Sequence, residues 1–260
     1  MKKFFLLAAL MFAVTSGAMD FQGGNLLYAG SGVEAEDPLS GIQDSIFNAF
    51  TVGIMTHDDD ALAGIRSRLE TLNKNRGNSL ILYWLAYADY YRTVLYMQTG
   101  NASDAAKAAA AGADALGSIR NKTSDDYALL SLLQGLQLQF SGMDAASLAM
   151  EMSRNASLAL ELDPENIRAN YACGITDFFT PEAYGGGKAA EKYFLKAISL
   201  PVQKVPGKYH PSWGKEESYE YLVRLYVRQG LMDKALEYCE EGLKLFPSSA
   251  MLNSLKGQLR

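Results

Sequence analysis

The chain has 260 residues, a formal net charge of −5, 48% hydrophobic residues and only two cysteines. An acidic balance without clustered Lys and Arg argues against nucleic acid and against an anionic membrane surface, since affinity for both comes from concentrated positive charge. Two cysteines (Cys173, Cys239) and two histidines (His57, His210), far apart in the chain, make no metal signature.

Residues 1–18 have the outline of a signal peptide. Lys2 and Lys3 form a positive end, and Phe4 to Val14 is an apolar run too short to span a bilayer. Ser16-Gly17-Ala18 is a small-residue cleavage site, and no cysteine follows to take a lipid anchor. No later stretch is apolar for long enough to be a transmembrane helix, so the expectation is an exported chain with no membrane insertion after cleavage. The Lys-Lys start points to the bacterial periplasm. Losing the two lysines takes the charge from −5 to −7. Residues 19–37 are rich in Gly, Ser and Asn and read as a flexible lead-in.

A helical domain is expected over residues 38–260. Pro38 opens the first helix, with Ile42, Ile46, Phe47, Phe50 and Ile54 on one face. Asp58-Asp59-Asp60 opens the second, where acids suit the helix dipole; a calcium loop would need ligands spread over about twelve residues with a central Gly. Asn78 to Gln98 is the most aromatic segment. Trp84, Ala88, Tyr91 and Leu95 share one face, read as core, while Tyr83, Tyr87, Tyr90 and Val94 make a second stripe. Two readings of that stripe stay open: a helix sandwiched between neighbours, or the wall of a concave ligand groove. Ser103-Asp104 opens an alanine-rich helix to Ile119. Ser124 to Phe140 follows, with Leu132, Leu136 and Gln139 directed to the concave side, and Met143 to Leu162 is its partner, ending at Asp163-Pro164.

Glu165 to Pro201 forms the next unit, with Ala190, Phe194 and Ala197 at packing positions of its second helix. Its turn is long, Phe178 to Lys188. Gly185-Gly186-Gly187-Lys188 is not a phosphate loop, because Ala189 follows the Lys and a helix precedes the run. Glycine amides at a helix start could still hold an anion, with Lys188 helping. A second insertion, Val202 to Trp213, carries His210 and Trp213. The Trp is either an exposed binding hot spot or folded back onto the helices. Insertions of this kind map to loops around a binding face. Both cysteines fall inside helices and read as buried free thiols, with a disulfide as the alternative.

Glu216 to Ser249 is the clearest unit. Tyr219, Leu222 and Tyr226 recur on one helix, and Leu231, Ala235, Tyr238 and Leu243 on the next. Gly230 serves as a left-handed helix end. Ala235 and Gly242 allow a close crossing, Pro247 stops the second helix, and Ser248 caps a final helix, Ala250 to Leu259. Such a pair buries one face of each helix and needs neighbours on both sides. This stretch resembles a tetratricopeptide repeat (TPR). With residue 216 as position 1, Tyr219 takes the usual Trp place, and Leu222, Tyr226, Gly230, Ala235 and Pro247 match in register. Val223 and Gly242 depart from the usual small residue and Ala. The best-matching repeats are 164–201 and 216–249.

The expected fold is therefore all-α: a right-handed α-solenoid of about five antiparallel helix pairs with a C-terminal capping helix. The resemblance implies a scaffold that binds a protein or peptide partner in a concave groove, without catalysis and without cofactors. No Ser, Cys or carboxylate is tied to His210 by a catalytic motif. Tyr83, Tyr87, Tyr90, Tyr171 and Phe178 are the candidate groove residues; Tyr184, Lys188, His210 and Trp213 are the candidate loop residues. The alternative is a small-molecule-binding TPR component working beside a solute transporter.

Overall fold

The structure, a computed structural model, describes residues 37–201 and 209–259. The expected signal peptide, the lead-in up to residue 36 and the first part of the second insertion, Val202 to Lys208, lie outside the described residues.

The described residues are helical throughout, with no strand among them. Five antiparallel pairs follow one another: α1 (Ile42–Thr56) with α2 (Asp60–Arg76), α3 (Ser79–Gln98) with α4 (Ala102–Gly117), α5 (Ser124–Gln137) with α6 (Ala145–Leu162), α7 (Ile167–Phe179) with α8 (Ala190–Ser199), and α9 (Lys215–Arg228) with α10 (Met232–Leu245). A single helix, α11 (Ala250–Gln258), packs against α10 and α9 and closes the end. Each first helix also packs on the first helix of the next pair, which makes the array a solenoid.

The boundaries have local causes. Asn78, Asn101, Asn166 and Ser249 each accept a backbone N–H of the following first turn. Thr123 and Asp126 bond each other's backbone reciprocally at the start of α5. The caps of α4 and α11 are thus Asn101 and Ser249, not Ser103-Asp104 and Ser248, because the non-helical backbone falls at those residues. Gly230 ends α9 at φ +74°, as its position required. Gly242 is a close approach: a Cβ there would lie 2.9 Å from Leu252 and 3.1 Å from Tyr219. Ala235 beside it is fully buried.

Two acidic residues, Asp89 within α3 and Asp59 at the N-cap of α2, act as polar anchors between helices. Asp89 on α3 has no exposure and accepts Arg66 Nε at 2.6 Å and Arg92 Nη1 at 3.2 Å through one oxygen. Its other oxygen has no hydrogen-bond partner. Asp59 takes Arg92 Nε at 2.9 Å and the Tyr96 hydroxyl at 2.5 Å, so the acidic triplet ties α2 to α3 as well as suiting the dipole. Both thiols are free and buried; each bonds a carbonyl of a neighbouring helix, Cys173 to Ala156 and Cys239 to Leu252.

Candidate functional site

The first helices bring α3, α7 and α9 together on the inner face of the array. Tyr83 and Tyr87 on α3 and Tyr171 on α7 point there, as the groove reading requires. They do not wall an open groove, because the chain fills the space itself. Tyr209 to Gly214, the end of the second insertion, crosses this face as a strap. The Trp213 indole lies on Tyr87 at 5.7 Å between ring centroids and meets Tyr171 edge-on at 6.0 Å. Its Nε1 donates to the Tyr83 hydroxyl at 2.8 Å. Trp213, Tyr83, Tyr87 and Tyr171 are consequently all buried. The aromatic stripe of α3 is a sandwiched face, and Trp213 is folded back rather than presented to solvent.

The strap is fastened along its length. Trp84 Nε1 donates to the Tyr209 carbonyl at 2.9 Å, and the Tyr209 hydroxyl bonds Asp37. Ser212 N–H donates to Gln43 Oε1 at 2.8 Å. Arg168, itself buried, donates Nη1 to the Trp213 carbonyl at 3.2 Å while its Nε bonds Asp125 at 2.5 Å. His210 lies within the strap and is exposed.

The rings form one continuous series across the interior: Phe50, Tyr91, Tyr87, Trp213, Tyr171, Tyr221 and Phe178, with successive centroids 4.8 to 6.0 Å apart. Tyr221 is a member that sequence reasoning missed. It sits one residue before Leu222, off the register that marks the repeat. Burial pushes the phenols of Tyr83, Tyr87, Tyr91, Tyr171 and Tyr221 well above their ordinary value.

Beside Trp213 the inner face keeps some exposure. Tyr90 and Phe178 are half-buried there. Between them α9 contributes Glu217, Glu220 and Arg224, none of which stood out in the sequence. Glu220 pairs with Arg224 at 2.9 Å. Burial, with Glu216 and Glu220 adding their charge, pushes the Glu217 carboxyl up to about 7, against the N–H bond it accepts from Gly214 at 2.7 Å. Tyr90 is raised by burial first and then by Glu217 and Glu220. This strip offers aromatic faces, two carboxylates and a guanidinium to whatever lies against it.

The remaining candidates lie elsewhere. Tyr184 is 77% exposed on a short 3-10 turn, Glu182 to Tyr184, between α7 and α8, and Lys188 is exposed nearby. The amides at the start of α8 are already taken: Asp177 Oδ2 accepts Ala189 N–H at 2.9 Å and Ala190 N–H at 2.8 Å. A carboxylate of the chain stands where an external anion would bind beside Lys188. Of the sequence candidates, the structure brings Tyr83, Tyr87, Tyr171 and Trp213 to one place, leaves Tyr90 and Phe178 half-buried beside it, and puts Tyr184 and Lys188 on an outer edge.

By sequence, the chain matches no protein-family model, and it matches no curated protein. By structure, it is similar to a thermophilic TPR protein of Thermus thermophilus, with a TM-score of 0.56 and 16% identity, over 82% of this chain and 98% of that one. It is also similar to the HusA haemophore from Porphyromonas gingivalis, with a TM-score of 0.56 and 20% identity, over 72% of this chain and 94% of that one. At such identities the likeness is one of fold. The protein is a TPR-like α-solenoid.

Proposed function

We propose that this protein is an exported, non-catalytic helical-repeat adaptor that holds a partner protein or peptide, working in the bacterial periplasm. The observation that carries this reading is the half-exposed strip of Tyr90, Phe178, Glu217, Glu220 and Arg224 beside the buried strap. Aromatic faces with an adjacent arginine are the side chains that dominate binding energy at protein interfaces. They sit on rigid helices, so little ordering is needed on association. The fold likeness to a TPR protein agrees with a scaffold role.

The test is affinity capture from the cell envelope with the expected mature chain, residues 19–260, followed by mass spectrometry. One reproducibly enriched protein, lost with Tyr90→Ala plus Phe178→Ala, is the expected result. An empty capture from envelope, with the same protein recovered only in cytosol, overturns both the adaptor role and its location.

A second reading is binding of an aromatic small molecule beside a solute transporter. The likeness to a haemophore favours it, together with the half-exposed rings of Tyr90 and Phe178 at the strip. Haemin is the probe: a shift of its visible absorption on titration, abolished by Tyr90→Ala with Phe178→Ala, replaces the adaptor reading. An unchanged spectrum removes this alternative.

A further inference from the structure

The first helices stack in the order α1, α3, α5, α7, α9, and each packs only on the next in that series. Helices α3 and α9 therefore face each other across a cleft without packing together, with α5 and α7 between them. Side chains from three helices converge there: Tyr90 from α3, Tyr171 from α7, and Glu217, Glu220 and Tyr221 from α9. Tyr171 meets Tyr221 edge-on at 6.0 Å. Beyond the effect of burial, Glu217 and Glu220 both raise Tyr90 and Tyr171, and Glu220 raises Tyr221, so the carboxylates stand close to all three phenols.

These phenols share an unusual state. Tyr171 and Tyr221 are 4% and 7% exposed, yet neither hydroxyl makes a hydrogen bond among the described residues, and neither does that of Tyr90. The unbonded side-chain atoms shut off from solvent belong to Asn73 and Asp89, so the three hydroxyls reach solvent at their tips. Buried rings hold unbonded oxygens towards a pair of carboxylates.

Charge decides what such a set takes. Every cation on the first helices is already committed. Arg92 holds Asp59 and Asp89, and Arg168 holds Asp125. Lys215 donates to the Leu200 carbonyl at 2.6 Å. Arg224 pairs with Glu220 at 2.9 Å, so Glu220 is compensated within the chain. Arg228 lies over the Phe178 ring, with Glu182 and Asp177 as its counter-charges. Glu217 has no ion pair among the described residues; its Oε2 is fixed by the Gly214 N–H at 2.7 Å. A half-buried carboxylate without a counter-ion is relieved by an incoming cation, and the low local dielectric strengthens the attraction. Tyrosine rings attract a cation to their faces, and phenol oxygens accept its N–H groups. An anion would be repelled by Glu216 and Glu217, and a purely apolar group would bury the hydroxyls unbonded.

We propose that this cleft is a cation site that takes a lysine or arginine side chain of the partner, with Glu217 as counter-ion, the hydroxyls of Tyr90, Tyr171 and Tyr221 as acceptors and the Tyr90 ring as a wall. The inference rests on the adaptor reading and adds the chemistry of the partner, a segment that presents a basic residue to the cleft.

Fluorescence anisotropy with short labelled peptides, neutral except for two central Lys, Arg, Leu or Glu residues, tests it at pH 8, where Glu217 is ionised. The Lys and Arg peptides are expected to bind at least about tenfold more tightly than the Leu and Glu peptides. Glu217→Gln, which keeps an acceptor for Gly214, removes this preference with the circular dichroism unchanged. Glu216→Gln, at the neighbouring position, changes it by less than about threefold, as for a solvent-screened charge. Tyr90→Leu weakens Lys binding about two- to fivefold, the size of one cation–π contact. Equal binding of the Lys, Arg and Leu peptides overturns the proposal. So does a Lys preference that survives Glu217→Gln, since it would belong to the acidity of the whole chain. A partner captured from the envelope, lost with Tyr90→Ala plus Phe178→Ala but held in full by Glu217→Gln, keeps the adaptor reading and overturns the cation site alone.

Discussion

Replacing Trp213 by Ala is the most direct probe of the strap. The indole is 7% exposed, stacks on Tyr87, meets Tyr171 edge-on and satisfies the Tyr83 hydroxyl. Truncating a buried aromatic side chain costs about 3–5 kcal/mol. The Tyr83 hydroxyl, left buried without its partner, adds about 1–3 kcal/mol. Some collapse of the strap offsets part of this, so the expected loss is about 5 kcal/mol, a large share of the roughly 5–15 kcal/mol that hold a domain folded. Trp213→Phe keeps one ring in the stack but removes the N–H and the second ring of the indole, for an expected loss of about 2–3 kcal/mol. Urea denaturation followed by far-ultraviolet circular dichroism measures both. A loss below about 1 kcal/mol for Trp213→Ala, the size of an ordinary surface change, would refute a strap that forms part of the core.

Three further outcomes follow from the same geometry. Glu217 rises from an ordinary 4.5 to about 7 in the fold. The folded state therefore holds its proton more tightly, and the stability it contributes is full below 4.5 and lost as pH rises through about 7. With partial exposure and the coupling to Glu216 and Glu220 taken into account, the protein is expected to be about 1–2 kcal/mol less stable at pH 8 than at pH 5 from this group. Glu217→Gln, which keeps an acceptor for Gly214, should remove that difference in urea midpoints; an unchanged difference would place its source elsewhere. Arg168→Leu breaks a buried pair with Asp125 and frees the Trp213 carbonyl, for an expected loss of about 3–5 kcal/mol by the same assay; full stability in this variant would show that the pair is dispensable. The Cys173 thiol is pushed up to about 12 by burial. Iodoacetamide at pH 8 should leave it unmodified until the chain is unfolded in urea, and rapid labelling of the native protein would contradict its placement.

The helix pairs could be read from the sequence because their causes are local. Gly230 answers to the left-handed turn within one pair, Ala235 and Gly242 to close packing with adjacent helices, and the periodicity of Tyr219, Leu222 and Tyr226 reports one buried face. Cap positions slipped by one or two residues where several cap formers adjoin, as at Ser248 and Ser249. The inner face resisted the same treatment. Whether Tyr83, Tyr87 and Tyr171 line a groove or a core depends on where Trp213 lies, and the Trp213–Tyr83 bond joins residues 130 apart. No periodicity encodes such a contact. Glu217 reads as one more acid in a helical first turn. Its acidic neighbours Glu216 and Glu220 are legible in α9, but the burial that contributes most to its shift is not.

An open repeat array is topologically simple: each unit answers only to its neighbours, and the ends fray independently. The clasp made by Tyr209, Ser212 and Trp213 changes that topology, since its bonds to Trp84, Tyr83 and Gln43 span 125, 130 and 169 residues. The middle of the protein becomes a closed circuit. Closing it must precede any gain from those bonds, although the entropy of closure grows only slowly with length. Folding should therefore be slower than the helical content alone implies, and the units between the fastened points should open together rather than one by one. Pairs in the circuit could not be added or deleted freely, as in an open solenoid, because each change would carry one half of the clasp out of reach of the other.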